Sequence, residues 1–221
     1  MRLVDLSHVI ETGMPLFSSN APAPEIEAWL SHGQAAASGR YKDCSCEITQ
    51  VSFITSLGTY LDSPYHFHPN KASIERLDLE QLVLEGLVLD CTECSMRSAI
   101  QPDVLMGLDF SGKAVLFHSG WSRFWGQEEY FAHPFLTKET ALALVDGGAK
   151  LVGVDWLVID DTANPRRPVH VTLLANDVLI VENLTGLERL PKNGFTFYAV
   201  PVKVRGAAAF PVRAYASIWN Y

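Results

Sequence analysis

Seven short runs rich in Val, Ile, Leu, Phe and Thr punctuate this chain, at residues 2–6, 46–55, 83–91, 113–118, 150–158, 178–183 and 195–204. Most are flanked by Gly, Pro or Asp, residues that supply turns and end pleated segments. Every strand must find neighbours for its backbone N–H and C=O groups, so the set predicts one substantial mixed sheet. Helical signals are few. Thr137 caps a helix that runs to about Asp146, with Ala141, Leu142, Leu144 and Val145 on its inner face and Gly147-Gly148 as its stop. It feeds into KLVGVDWLVID, which reads as a buried strand. Asp78 with Gln81 has capping-box spacing, and Pro102 suits a first helical turn. The fold class is therefore α/β, a mixed central sheet with a few flanking helices.

The 221 residues show no obvious linker and are 48% hydrophobic, with 5 Trp, 7 Tyr and 11 Phe. That is ample material for a core, and the expectation is one domain spanning 1–221. A net charge of -8, with basic residues scattered apart from Arg166-Arg167, repels a phosphate backbone on average and argues against nucleic acid. No segment reaches roughly 18 consecutive apolar residues and no apolar leader opens the chain, so the expected protein is cytoplasmic and free of membrane. Cys44-x-Cys46 and Cys91-x-x-Cys94 then read as thiols, with a four-thiolate zinc site as the less favoured alternative. Residues 18–40 combine Pro22, Pro24 and small polar residues around an amphipathic turn of Ile26, Trp29 and Leu30, a composition that suits a lid. The tail, with Pro201 and Pro211 among alternating apolar residues, reads as final strands.

Chemistry concentrates in Ser56-Leu57-Gly58-Thr59-Tyr60-Leu61-Asp62-Ser63-Pro64-Tyr65-His66. In an extended segment Ser56, Gly58, Tyr60, Asp62 and His66 share one face, although Gly58 and Pro64 are both able to break the alternation. A carboxylate there can bind a divalent cation, and an imidazole, with a free pKa of about 6.5, can move protons. His170 and Glu182 form a second pair, separated by a turn near Asn176-Asp177, and would complete an oxygen- and nitrogen-rich site with Asp62. Each residue also has a plainer reading: Asp-Ser-Pro as a turn, a lone His as a hydrogen-bonded core group, Glu182 as a strand end.

The same segment resembles the cyclase-family signature H-x-G-T-H-x-D-x-P-x-H, with Gly58, Thr59, Asp62, Pro64 and His66 in register. Asp5-Leu6-Ser7, Gly13-Met14-Pro15, Ser119-Gly120-Trp121, Gly153-Val154-Asp155 with Asp160, His170, Leu173-Leu174, Glu182-Asn183-Leu184, Pro201 and Pro211-Val212-Arg213 resemble the family's other blocks, in order. The resemblance implies a swivelling β/β/α fold, a homodimer or higher homo-oligomer, a small-molecule substrate, and metal-dependent hydrolysis like that of bacterial kynurenine formamidases and isatin hydrolases. It assigns Asp62, His170 and Glu182 to metal, His66 to proton transfer and Phe17 to substrate contact. Ser56 and Tyr60 stand where the family has two ligand histidines. Serine and neutral tyrosine are poor zinc ligands, so the expectation is one divalent metal per chain, zinc or manganese, in place of two.

Three issues stay open at this level. His118, before Ser119-Gly120, offers itself as a substitute ligand or as a core histidine, while His68 is expected to leave the site with its loop. Trp121, Phe124 and Trp125 form an aromatic cluster that suits either pocket or core. The loss of two ligands leaves a non-catalytic binding or structural homologue as the rival to an arylformamidase-like hydrolase of a small amide, formamide or cyclic amide or ester. A lyase or dehydratase that uses the Tyr60 hydroxyl as an oxyanion donor is a third reading.

Overall fold

Alternation along the central strands gives the sheet two apolar faces. On the run Ala114–His118, Val115 and Phe117 join one buried cluster while Ala114 and Leu116 join another. The neighbouring run Leu151–Val154 divides the same way, Val152 and Val154 against Leu151. Strands buried on both faces read as continuous hydrophobic runs, and these pair in parallel as such strands do.

The computed structural model describes residues 1–219. In chain order the strands are β1 (Arg2–Asp5), β2 (Glu25–Leu30), β3 (Ile48–Ser52), β4 (Tyr60–Asp62), β5 (Val83–Asp90), β6 (Ala99–Ile100), β7 (Ala114–His118), β8 (Phe135–Leu136), β9 (Leu151–Val154), β10 (Leu179–Glu182), β11 (Phe195–Tyr198), β12 (Ala209–Pro211) and β13 (Tyr215–Ile218). The α-helices are α1 (His32–Ala37), α2 (Lys138–Asp146) and α3 (Pro168–Ala175). Nine strands form one mixed sheet in the order β1-β13-β11-β5-β7-β9-β10-β4-β12. The stretch β5-β7-β9-β10 is parallel, and antiparallel strands flank it on both sides. β12 ends the sheet, and Pro211, which has no N–H to give, sits on that edge. No helix is long and apolar enough to cross a membrane among the described residues.

Helices α2 and α3 cover one face, through Ala141 and Leu144 and through Val169, Leu173 and Leu174. Thr137 caps α2 by accepting from the Thr140 amide, and Asp78 and Gln81 form a reciprocal capping box on a 3-10 turn. Gly153 is required where it lies, because a Cβ there would stand 2.6 Å from side-chain atoms of both Leu116 and Leu184.

Several sequence expectations change. The run 46–55 shrinks to β3, which pairs only with β2 and is exposed along its whole length. Residues 18–40 hold strand β2 and then α1, so Ile26, Trp29 and Leu30 lie on a strand and not on a helical turn; Trp29 is 65% exposed. Runs 150–158 and 195–204 contract to β9 and β11, and α3 arises over a stretch to which no element was assigned, just before the expected turn at Asn176-Asp177. Pro168 at its first turn and the absence of glycine before Ala175 explain that helix, despite three β-branched residues within it.

Candidate metal centre

Tyr60 and Asp62 are two residues apart on β4 and so share a face of the sheet. β10 runs antiparallel beside them with Glu182 directly opposite Tyr60 and Ile180 opposite Asp62. Ile180 belongs to the cluster beneath α3, so Tyr60, Asp62 and Glu182 all face that helix. The extended alternation breaks at both flagged residues: Gly58 adopts φ +61 before the strand, and Pro64–His66 form a 3-10 turn after it. Asn183 clasps the entrance of β4, its Nδ2 donating to the Gly58 carbonyl at 2.8 Å while its Oδ1 accepts from the Tyr130 hydroxyl at 2.7 Å.

Helix α3 delivers His170, and Asp160 fixes it. One Asp160 oxygen accepts from the Val169 amide at 2.8 Å, and the other accepts from the His170 amide at 3.0 Å and lies 2.6 Å from His170 Nδ1. A single carboxylate thus satisfies two orphan amides at the start of α3 and orients the imidazole. The opposite ring nitrogen, Nε2, stands 3.6 Å from Asp62 Oδ2 and 3.4 Å from Glu182 Oε1. Glu182 Oε1 also accepts from the Ile159 amide at 2.7 Å, while Oε2 accepts from the Tyr60 hydroxyl.

Asp62 is fully buried, yet neither of its carboxylate oxygens has a hydrogen-bond partner. A buried carboxylate left in that state is costly unless a cation compensates it. Ligand atoms of Asp62, His170 and Glu182 all lie within 4.8 Å of one another. Tetrahedral ligands at about 2.1 Å from zinc stand about 3.4 Å apart, close to the two His170 separations. The donor set therefore fits a divalent cation of the zinc or manganese type. Electrostatics agree. Burial pushes His170 toward its neutral form, but the carboxylates of Glu182, Asp160 and Asp62 outweigh it and lift its pKa to about 10. Burial raises the Glu182 carboxyl above the usual carboxylate range, with His170 opposing and Asp62 adding to the shift. Burial, followed by the Glu182 charge, holds the Tyr60 phenol neutral.

A cavity of about 220 Å³ opens onto this cluster, lined by Phe17, Ser56, Tyr60, His66, Phe67, Val158, Arg167, His170 and Glu182. His66 Nε2 is 3.7 Å from Asp62 Oδ1, and its side chain remains 29% exposed. Phe17, whose side chain is largely exposed, and Ser56 both line this cavity. His118 does not join: it ends β7 in register with Asp90 and lines a separate groove. His68 leaves the site, its Nε2 lying 3.0 Å from the Val171 carbonyl. Trp121 is core, and Trp125 stacks on His8 with ring centroids 3.8 Å apart; neither they nor Phe124 line the cavity. Cys44 and Cys46 lie before β3 while Cys91 and Cys94 pack at the end of β5, so the two pairs make no four-thiolate site. Sequence reasoning assigned no role to Asp160, Phe67 or Arg167. Pro168 after an acidic residue and a polar loop was the available signal for an N-terminal helix carboxylate.

The Cyclase family model matches residues 4–161, well over half of the chain. This chain belongs to the cyclase family. Along 215 residues it is 28% identical to kynurenine formamidase of Salinibacter ruber, a match covering 97% of this chain and 96% of that protein. Isatin hydrolase A from Labrenzia aggregata superposes with a TM-score of 0.86 at 20% identity, covering 99% of this chain and 94% of that one, and shares the fold. A solved structure described as a potential metal-dependent hydrolase with cyclase activity superposes with a TM-score of 0.77 at 26% identity, over 97% and 96% of the two chains.

Proposed function

We propose that this chain hydrolyses a small amide, formamide or cyclic amide or ester with one divalent metal, zinc or manganese, held by Asp62, His170 and Glu182. The observation that carries the proposal is Asp62, fully buried with both oxygens unpartnered beside a histidine and a second carboxylate at metal-ligand spacing. Kinship with kynurenine formamidases supports the reaction class.

When bound, the metal supplies a Lewis acid for the scissile carbonyl and brings water toward a pKa of about 7. The chain supplies the rest. Asp160 holds His170 Nδ1, which leaves the Nε2 lone pair free to face Asp62 and Glu182. His66 bridges the buried carboxylates and solvent, so it is placed to accept a proton from water and return it to the leaving amine or alkoxide. Phe17 and Phe67 give the cavity aromatic walls for a planar substrate.

Tyr60 sets the metal count. Its hydroxyl proton is committed to Glu182 Oε2, the carboxylate oxygen turned away from His170. A second cation beside Ser56 would have to displace that phenol and would gain no imidazole. The same commitment favours a positioning role for Tyr60 over an oxyanion donor, and so hydrolysis over a lyase reaction.

The test is turnover of N-formylkynurenine, isatin and a lactone panel by protein loaded with zinc or manganese, before and after chelation. We expect hydrolysis of at least one class, lost with the metal and restored by it. A protein that binds no metal and turns over none of them is the non-catalytic homologue instead.

A further inference from the structure

Arg166 and Arg167 are adjacent in sequence but differ in place: Arg166 is exposed, whereas Arg167 is half-buried and lines the cavity over Asp62. Arg167 is the one Lys or Arg on that wall. Its backbone lies at φ 44, ψ 56, the left-handed region, immediately before Pro168 and as the N-cap of α3. An L residue other than glycine is strained in that conformation, and such outliers persist where the surroundings enforce them, often at ligand sites. Here Arg167 accepts the first bond of α3 through its carbonyl, from Val171 at 3.0 Å, while its side chain reaches the pocket.

The guanidinium is underused. Nη1 donates to the Asp161 carbonyl at 3.0 Å, and no carboxylate lies within ion-pair distance among the described residues. The two carboxylates that share its cavity cluster, Asp62 and Glu182, are the metal's ligands and are compensated once it binds. No other hydrogen bond of this guanidinium is present among the described residues, so N–H donors remain to take a ligand, in a planar fork that matches a carboxylate. Of the remaining lining, Phe17, Phe67 and Val158 are apolar and Ser56 and Tyr60 are neutral, which leaves Arg167 as the one permanently cationic group on the wall.

We infer that the substrate of this site carries an anionic oxyacid group, most simply a carboxylate, beside its scissile amide or ester, and that Arg167 recognises it. The inference rests on the hydrolase reading for its word substrate, but its binding arm stands apart from turnover. The probes are 2-formamidobenzoate and 2-formamidobenzamide, which share a ring and a formamide and differ in the charged group. Affinities are measured by calorimetry on metal-loaded wild type, R167Q and R167K, in which Asp62 and Glu182 are compensated and any ligation of the probe by the metal is common to all three proteins. The ratio of kcat/KM for the two probes is then measured on the metal-loaded proteins.

We expect the wild type to prefer the benzoate, R167Q to lose about 10–100-fold of that preference in both assays, and R167K to retain part of it. R167K also covers the case in which R167Q fails to fold. A wild type without preference for the charged probe, or an R167Q protein that keeps it, overturns the inference. If neither probe is hydrolysed but the binding preference follows Arg167, the hydrolase reading fails while the anion site stands. If both are hydrolysed without discrimination, the reverse holds.

Discussion

The two oxygens of Glu182 have opposite surroundings. On the Oε1 side are the Ile159 amide and His170, whose ring is locked by Asp160 and turned toward the unpartnered Asp62. On the Oε2 side a phenol already donates its proton, and the nearby Ser56 offers no imidazole. One half of the site gathers three buried ligand-type side chains, Asp62, His170 and Glu182, and the other half holds a neutral hydrogen bond from Tyr60. Ligand-type side chains converge where orientation, burial and donor chemistry all agree.

The largest break in this contrast is His170→Ala. It removes the single neutral ligand between two carboxylates, and metal affinity should fall by a factor of about 1000 or more, read by competition with a chromophoric chelator. Asp160→Asn leaves every ligand in place and removes only the orienting carboxylate. It should cost about 10–100-fold in metal affinity, and an unchanged affinity would show that the ring needs no partner. Proton competition sharpens the same side. With its pKa lifted to about 10, His170 is protonated in the metal-free protein at neutral pH, so binding must expel that proton. Because the Glu182 carboxyl is raised as well, affinity should rise at least tenfold per pH unit between about pH 6 and pH 8, and a flat profile would contradict the assigned role.

Much of the fold was legible because burial on both faces writes a continuous apolar run. Ala114–His118 and Leu179–Glu182 are read from sequence almost to the residue. The run around Ile48–Ser52 has the same composition but pairs with β2 alone and stays exposed, since composition cannot say whether a strand finds the main sheet. At the site, Asp62, His170, Glu182 and His66 were legible as residue types in register with a family signature. What was not legible depends on register and on loops. Tyr60 faces Glu182 because β4 and β10 pair antiparallel with those residues opposite. Asp160 reaches His170 because the loop between them folds back onto the first turn of α3, and Arg167 reaches the cavity through a backbone conformation that its identity disfavours. His118 shows the converse: a histidine at a promising sequence position sits at a strand end that opens on another groove.

The most direct measurement is the number of metal ions per chain, by elemental analysis of protein saturated with zinc or manganese and freed of excess, alongside the S56H/Y60H double variant. We expect one ion per chain in the wild type, at Asp62, His170 and Glu182, and a second only when both positions carry histidine. Two ions in the wild type, or none, would overturn the single-metal site.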